Sequence, residues 1–83
     1  MKESEIQKKI TDSHRRRGYI VVKLIQTTMN GIPDLMLIRR GKVKFVEVKC
    51  GKNKSSPLQC YQQKILREAG VEVYETNDPE FKL

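Results

Sequence analysis

Apolar residues recur with different spacings along this chain, and each spacing marks an element. Ile6 and Ile10 stand four apart in a polar stretch closed by Gly18, which predicts a helix over residues 4–17. Tyr19 to Ile25 is rich in β-branched residues and predicts a strand. Residues 26–33 are mostly polar and contain Gly31 and Pro33, so they read as a loop. Two runs follow, Leu35-Met36-Leu37-Ile38 and Val43-Lys44-Phe45-Val46, with Arg40-Gly41 between them, the outline of a β-hairpin. Their apolar residues occupy both parities, which predicts strands covered on both faces. After a basic loop at residues 51–55, Ser56 suits an N-cap, Pro57 the first helical position and Gln59 a capping box. The helix they open carries an inward stripe of Leu58, Tyr61, Ile65, Leu66 and Ala69 and stops at Gly70. Val71 to Glu75 predicts a last strand. A helix between the third and fourth strands permits a parallel crossover, so the chain reads as a small mixed α/β sheet.

The hairpin register brings chemistry with it. If Arg40 and Gly41 are the two central residues, Arg39 faces Lys42, Ile38 meets Val43, Met36 meets Phe45, and Asp34 lands opposite Glu47, whereas a three-residue loop with a bulge shifts the pairing by one. Side chains alternate along strands, so Asp34 and Glu47 share one face, joined by Lys49 two residues further on. Cβ atoms of opposed residues lie about 5 Å apart, and like charges there repel. Two carboxylates held together at the end of an apolar hairpin call for a cation between them. An oxygen-only site of this kind suits Mg²⁺ or Mn²⁺. Each residue also has an ordinary reading. Asp34 suits a strand start, and Glu47 with Lys49 suits a solvated strand face, although Val43 and Phe45 precede them on the same parity.

Composition narrows the partners. Lys and Arg number 17 against 10 Asp and Glu, a net charge of +7. That balance favours a polyanion, and nucleic acid is the commonest soluble one. The 83 residues make one domain near the small end of what folds unaided, so oligomerisation is a natural source of stability. No apolar stretch is long enough to span a bilayer, and no secretory segment follows Met1. Cys50 and Cys60 fit no zinc-finger spacing and read as reduced thiols of a cytosolic protein. The single histidine, His14, reads as a surface residue of a basic helix. Arg15, Arg16 and Arg17 suit a solvated helix end, where cations complement the dipole, and with Lys52 and Lys54 they are also the expected nucleic-acid contacts. Arg39, Arg40, Lys42 and Lys44 extend the same basic rim. Few aromatics accompany these cations, which favours reading of backbone and shape over base stacking.

Gly31-Ile32-Pro33-Asp34, then Glu47-Val48-Lys49, then Ser56-Pro57-Leu58-Gln59 opening a helix, with Glu5 in the first helix, resembles the restriction-endonuclease-like, PD-(D/E)XK superfamily. More narrowly, it resembles the stand-alone VRR-NUC domain of bacteriophage type. The resemblance runs from Glu5 to about Glu75, and one position departs from it, Gln62 standing where an aromatic residue is common. It implies a restriction-endonuclease-like core spanning residues 1–83, with a divalent metal held by Asp34, Glu47 and the backbone carbonyl of Val48. Glu5 would approach the same centre, Lys49 would orient the attacking water, and Gln59 would hold Lys49 or that water. Two of these have complete structural explanations: an acid at Glu5 favours the helix dipole, and Gln59 completes a capping box.

The expectation is therefore a Mg²⁺- or Mn²⁺-dependent endonuclease acting on branched DNA such as a Holliday junction. The resemblance adds a homodimer, and neither membrane nor organic cofactor is involved. Its setting would be the cytoplasm, that of a host cell if phage-encoded. The competing readings are a non-catalytic nucleic-acid-binding module and a nuclease for flaps or other DNA structures.

Overall fold

Two helices and four strands follow one another as α1 (Glu3–Arg16), β1 (Ile20–Lys23), β2 (Leu35–Arg39), β3 (Lys42–Val48), α2 (Pro57–Glu68) and β4 (Glu72–Thr76) in a computed structural model that describes residues 1–83. The sheet order is β1-β2-β3-β4, with β1–β2 and β2–β3 antiparallel and β3–β4 parallel across α2. This is the mixed α/β arrangement the sequence predicts. No helix is long and apolar enough to cross a membrane.

The hairpin turns where its residues direct. Arg40 and Gly41 both take positive φ, 53° and 75°, which matches the twist of the flanking strands. A non-glycine residue in that region costs about 1 kcal/mol, so the strand ladder holds Arg40 there. The resulting register pairs Arg39 with Lys42, Ile38 with Val43 and Met36 with Phe45, as expected. β1 is shorter than predicted. It ends at Lys23, and the Leu24 N–H, donating to the carbonyl of Asp34 at 2.8 Å, is the last contact in line with the β1–β2 ladder.

One face of the sheet carries the core. Ile6 and Ile10 of α1 cluster with Tyr19, Val21, Leu35, Leu37, Val46 and Val48, every one of them buried. The opposite face is covered only in part. Met36 and Ile38 are half-buried there, and Val43, Ile20 and Val22 are exposed, so the hairpin is not enclosed on both sides.

α2 also sits differently from expectation. Leu58, Tyr61 and Ile65 point outward with 47%, 59% and 37% of their surface exposed, whereas Gln63 is buried. The sheet face beneath α2 bears Glu47 and, in register on β4, Glu75. Gln59 donates its amide to Glu47, and Gln63 reaches Glu75 through the Ser55 hydroxyl, contacts that aliphatic chains could not make, so the helix turns these glutamines inward.

His14 is buried, not on the surface. Its Nδ1 lies 2.7 Å from the Ile10 carbonyl, and its Nε2 accepts the Leu83 N–H at 3.1 Å. A donor on one side and an acceptor on the other define the neutral ring with its proton on Nδ1. Tyr19 meets the ring edge-on and Phe81 stacks on it. The last residues of the chain therefore close the far end of the α1 core.

Candidate active site

Asp34, Glu47 and Lys49 come together on the α2 face, at the end of the hairpin remote from its turn. Asp34 stands just before β2, and its Oδ2 accepts the Val48 N–H at 2.8 Å. That bond pins the Asp34 carboxylate against β3. Glu47, in β3, is 1% exposed, with its Oε2 3.1 Å from the Lys49 ammonium. Its Oε1 is buried without any partner. Burial first, and the charge of Asp34 second, push the Glu47 carboxyl up to about 7, with Lys49 opposing both. The two acids therefore feel each other directly.

Gln59 organises the other side. Its Nε2 donates to Glu47 Oε2 at 3.2 Å, and its Oε1 accepts from Lys49 Nζ at 2.8 Å. The same Oε1 accepts the Ser56 N–H at 2.9 Å, and the Gln59 N–H reaches Ser56 Oγ at 3.2 Å. The capping box and the site contact are thus one network, so the two readings of Gln59 coexist. The network also extends to residues that sequence reasoning missed. Gln63, one turn along α2, donates from Nε2 to Ser55 Oγ at 3.1 Å, and Ser55 Oγ donates to Glu75. The available signal was the spacing of Gln63 four residues after Gln59, which repeats the same helix face. Gln62 donates to the Asn30 carbonyl at 2.9 Å and braces the loop that delivers Asp34. In that loop Gly31 has φ +80°, and a Cβ there would sit 3.0 Å from Leu58 Cγ. The positive φ favours glycine here, and any side chain would also press on Leu58 of α2.

Other predicted residues lie apart. Glu5 is exposed and turned back on its own helix, its Oε1 accepting the Lys2 N–H at 2.9 Å. No group of three or more His, Cys, Asp or Glu side chains converges closely enough to hold a metal, so Glu5 is not brought to the Asp34–Glu47 pair. Val48 offers its N–H to Asp34. Lys52 and Lys54 are exposed in the loop after Lys49, at the Asp34–Glu47 end, and neither is in an ion pair. Arg15 and Arg17 are engaged at the opposite end, donating to the carbonyls of Val21 at 3.1 Å and Leu83 at 2.6 Å. Arg16 is exposed beside Asp12 and Glu80. Cys50 and Cys60 are both free thiols.

The donor chemistry fits a hard divalent cation. A buried carboxylate oxygen lacks a partner, and a second carboxylate raises the proton affinity of the first. A cation would relieve both. With two converging acids, the other ligand positions would fall to water and substrate oxygens, the pattern Mg²⁺ favours.

A sheet with a parallel final crossover, carrying an acid before one strand and Glu-x-Lys at the end of the next, defines the restriction-endonuclease-like fold. A solved structure described as "VRR_NUC domain" superposes with a TM-score of 0.79 at 32% identity, over 88% of this chain and 81% of the other. The chain belongs to the VRR-NUC domain family. No family model and no curated protein matches the sequence. Membership makes it a nuclease domain, with DNA as its substrate class and metal dependence as the family's general habit.

Proposed function

We propose that residues 1–83 form one Mg²⁺- or Mn²⁺-dependent endonuclease domain that hydrolyses phosphodiester bonds in branched DNA, four-way junctions above all, as a homodimer. The observation that carries this reading is the buried Glu47 carboxylate, short of a partner on one oxygen and set against Asp34 on the other side of the hairpin. Asp34, Glu47 and the Val48 carbonyl would hold the ion, which when bound supplies Lewis acidity and an activated water. The chain's own residues do the rest. Lys49, held between Gln59 and Glu47, keeps a compact positive charge where it can orient the attacking water and offset charge on the phosphate. Gln59 fixes the position of that amine. Lys52 and Lys54 are free to take backbone phosphates beside it. Glu5, exposed at the start of α1, would join the centre only by leaving its capping role.

The homodimer rests on the outward stripe of α2 together with exposed Ile20, Val22 and Val43 on the same side of the sheet. Apolar surface gathered on one face of a small domain marks an association site.

The test is cleavage of a labelled four-way junction, a flap and plain duplex with Mg²⁺, Mn²⁺ or Ca²⁺. Cleavage is expected with Mg²⁺ or Mn²⁺, most efficiently on the junction, and little with Ca²⁺. Asp34→Asn, Glu47→Gln and Lys49→Ala should each abolish it. Wild-type protein that binds all three substrates yet cuts none would establish a binding module instead.

A further inference from the structure

The basic residues of this chain do not form one rim, because the structure divides them between the two ends of the β2–β3 hairpin. At the turn end, Tyr19, Arg39, Arg40, Lys42 and Lys44 line a concavity of about 210 Å³ that contains no acid. Arg39 lies over the Tyr19 ring, 4.1 Å from its centroid, and donates to the Arg17 carbonyl at 2.9 Å. Arg17 itself stands 5.7 Å from the same ring and leaves a buried Nη1 without a partner. Lys44 has a single counter-charge, Glu72 at 3.5 Å. Arg40 and Lys42 are exposed and in no ion pair. A second basic hollow, lined by Lys9 and Arg16, contains Asp12 and Glu80 as well, so its charge is balanced. Of the two hollows, the one at the hairpin turn is the one without an acid in its lining.

Its position excludes a share in the catalytic groove. Arg39, Lys42 and Lys44 alternate with Ile38, Val43 and Phe45, so they belong to the α1 face, whereas Glu47 and Asp34 belong to the α2 face. Lys42 and Glu47 are also five residues apart along β3, about 17 Å at 3.3 Å per residue. A straight duplex seated on Asp34 and Glu47 lies against one face and leaves the other uncovered. Phosphates that meet Lys42 and Lys44 on the α1 face therefore come from a part of the DNA other than the stretch seated on Asp34 and Glu47.

We propose that the pocket formed by Tyr19, Arg39, Arg40, Lys42 and Lys44 is a second phosphate-binding site, which holds a DNA arm other than the one being cut. The site rests on the nuclease reading and deepens it, because it gives a single-domain protein a reason to prefer branched substrates. Arg39 and Arg17 form the floor through Tyr19, and the exposed Arg40 and Lys42, with the Glu72-paired Lys44 beside them, are the cations that meet the backbone.

The test is equilibrium binding by fluorescence anisotropy in Ca²⁺, where no cleavage is required, with labelled four-way junction and labelled duplex of equal length. The double variant Arg40→Asn/Lys42→Ala keeps the turn, since asparagine tolerates positive φ. It is expected to bind the junction about tenfold more weakly at moderate salt, with duplex affinity changed less than twofold. The slope of log K against log salt for the junction should fall by roughly one for each phosphate no longer engaged. Arg40→Lys/Lys42→Arg should bind as wild type. The site is overturned if the neutral double variant binds the junction as wild type does, or loses equally on both DNAs. It is also overturned if the charge-keeping variant is as weak as the neutral one, or if polyglutamate competes as well as DNA of equal charge. Wild-type protein that binds no junction would instead sink the nuclease reading.

Discussion

The two faces of this sheet are built from opposite materials. The α1 face is a closed apolar core, in which Ile10, Leu35, Leu37, Val46 and Val48 are all 0% exposed. The α2 face buries Glu47, Gln63 and most of Lys49, and turns Leu58, Tyr61 and Ile65 to the outside. One face supplies stability and the other gives some of it up to hold charge. A domain of this size has little margin, so the division means that core and site are separable by mutation.

The largest expected effect tests the stabilising face. Leu37→Ala should cost about 3–4 kcal/mol by chemical denaturation, from lost burial plus the cavity left behind. Next comes a gain on the other face. The folded Glu47 carboxyl titrates near 7, above its ordinary 4.5, so the folded state holds that proton more tightly than the unfolded chain does. Its burial is tolerated below pH 4.5 and grows costly as pH rises through 7. Glu47→Gln removes the charge, and in metal-free buffer at pH 8 it should be more stable than wild type by about 2 kcal/mol. That gain should vanish toward pH 4.5, and a chelator–Mg²⁺ switch should shrink it at pH 8. A third variant couples the two roles: Gln59→Ala should lower stability by about 1 kcal/mol through the lost cap. It should also slow cleavage by about 10- to 100-fold, because Lys49 loses the group that positions it. The smallest effect sharpens the contrast. Tyr61→Asp with Ile65→Asp should move folding stability by less than about 0.5 kcal/mol per site, yet convert the proposed dimer to a monomer in sedimentation.

Much of this was legible in the residues, for local reasons. The hairpin register followed once Arg40-Gly41 was taken as a two-residue turn, and α2 opened where Ser56, Pro57 and Gln59 placed it. The orientation of α2 was not legible. Its apolar stripe reads as an inward face until Glu47 and Glu75 are known to lie in register beneath it. His14 was equally opaque, since its polar partner Leu83 and stacking partner Phe81 lie more than 60 positions away. Proximity of Asp34 to Glu47 could be counted along the ladder. The separation of Arg17 and Arg39 from Lys52 could not, because it depends on which face each residue takes.

Gln59 is nearly fully committed: its backbone N–H, both lone pairs of its amide oxygen and one of its two amide hydrogens go to Ser56, Lys49 and Glu47. Helix ends are the first parts of a protein to fray on warming. Here a frayed first turn of α2 would release the amine along with the helix. Heat should then silence this molecule while its strands are still paired, so that the turn acts as a thermal fuse.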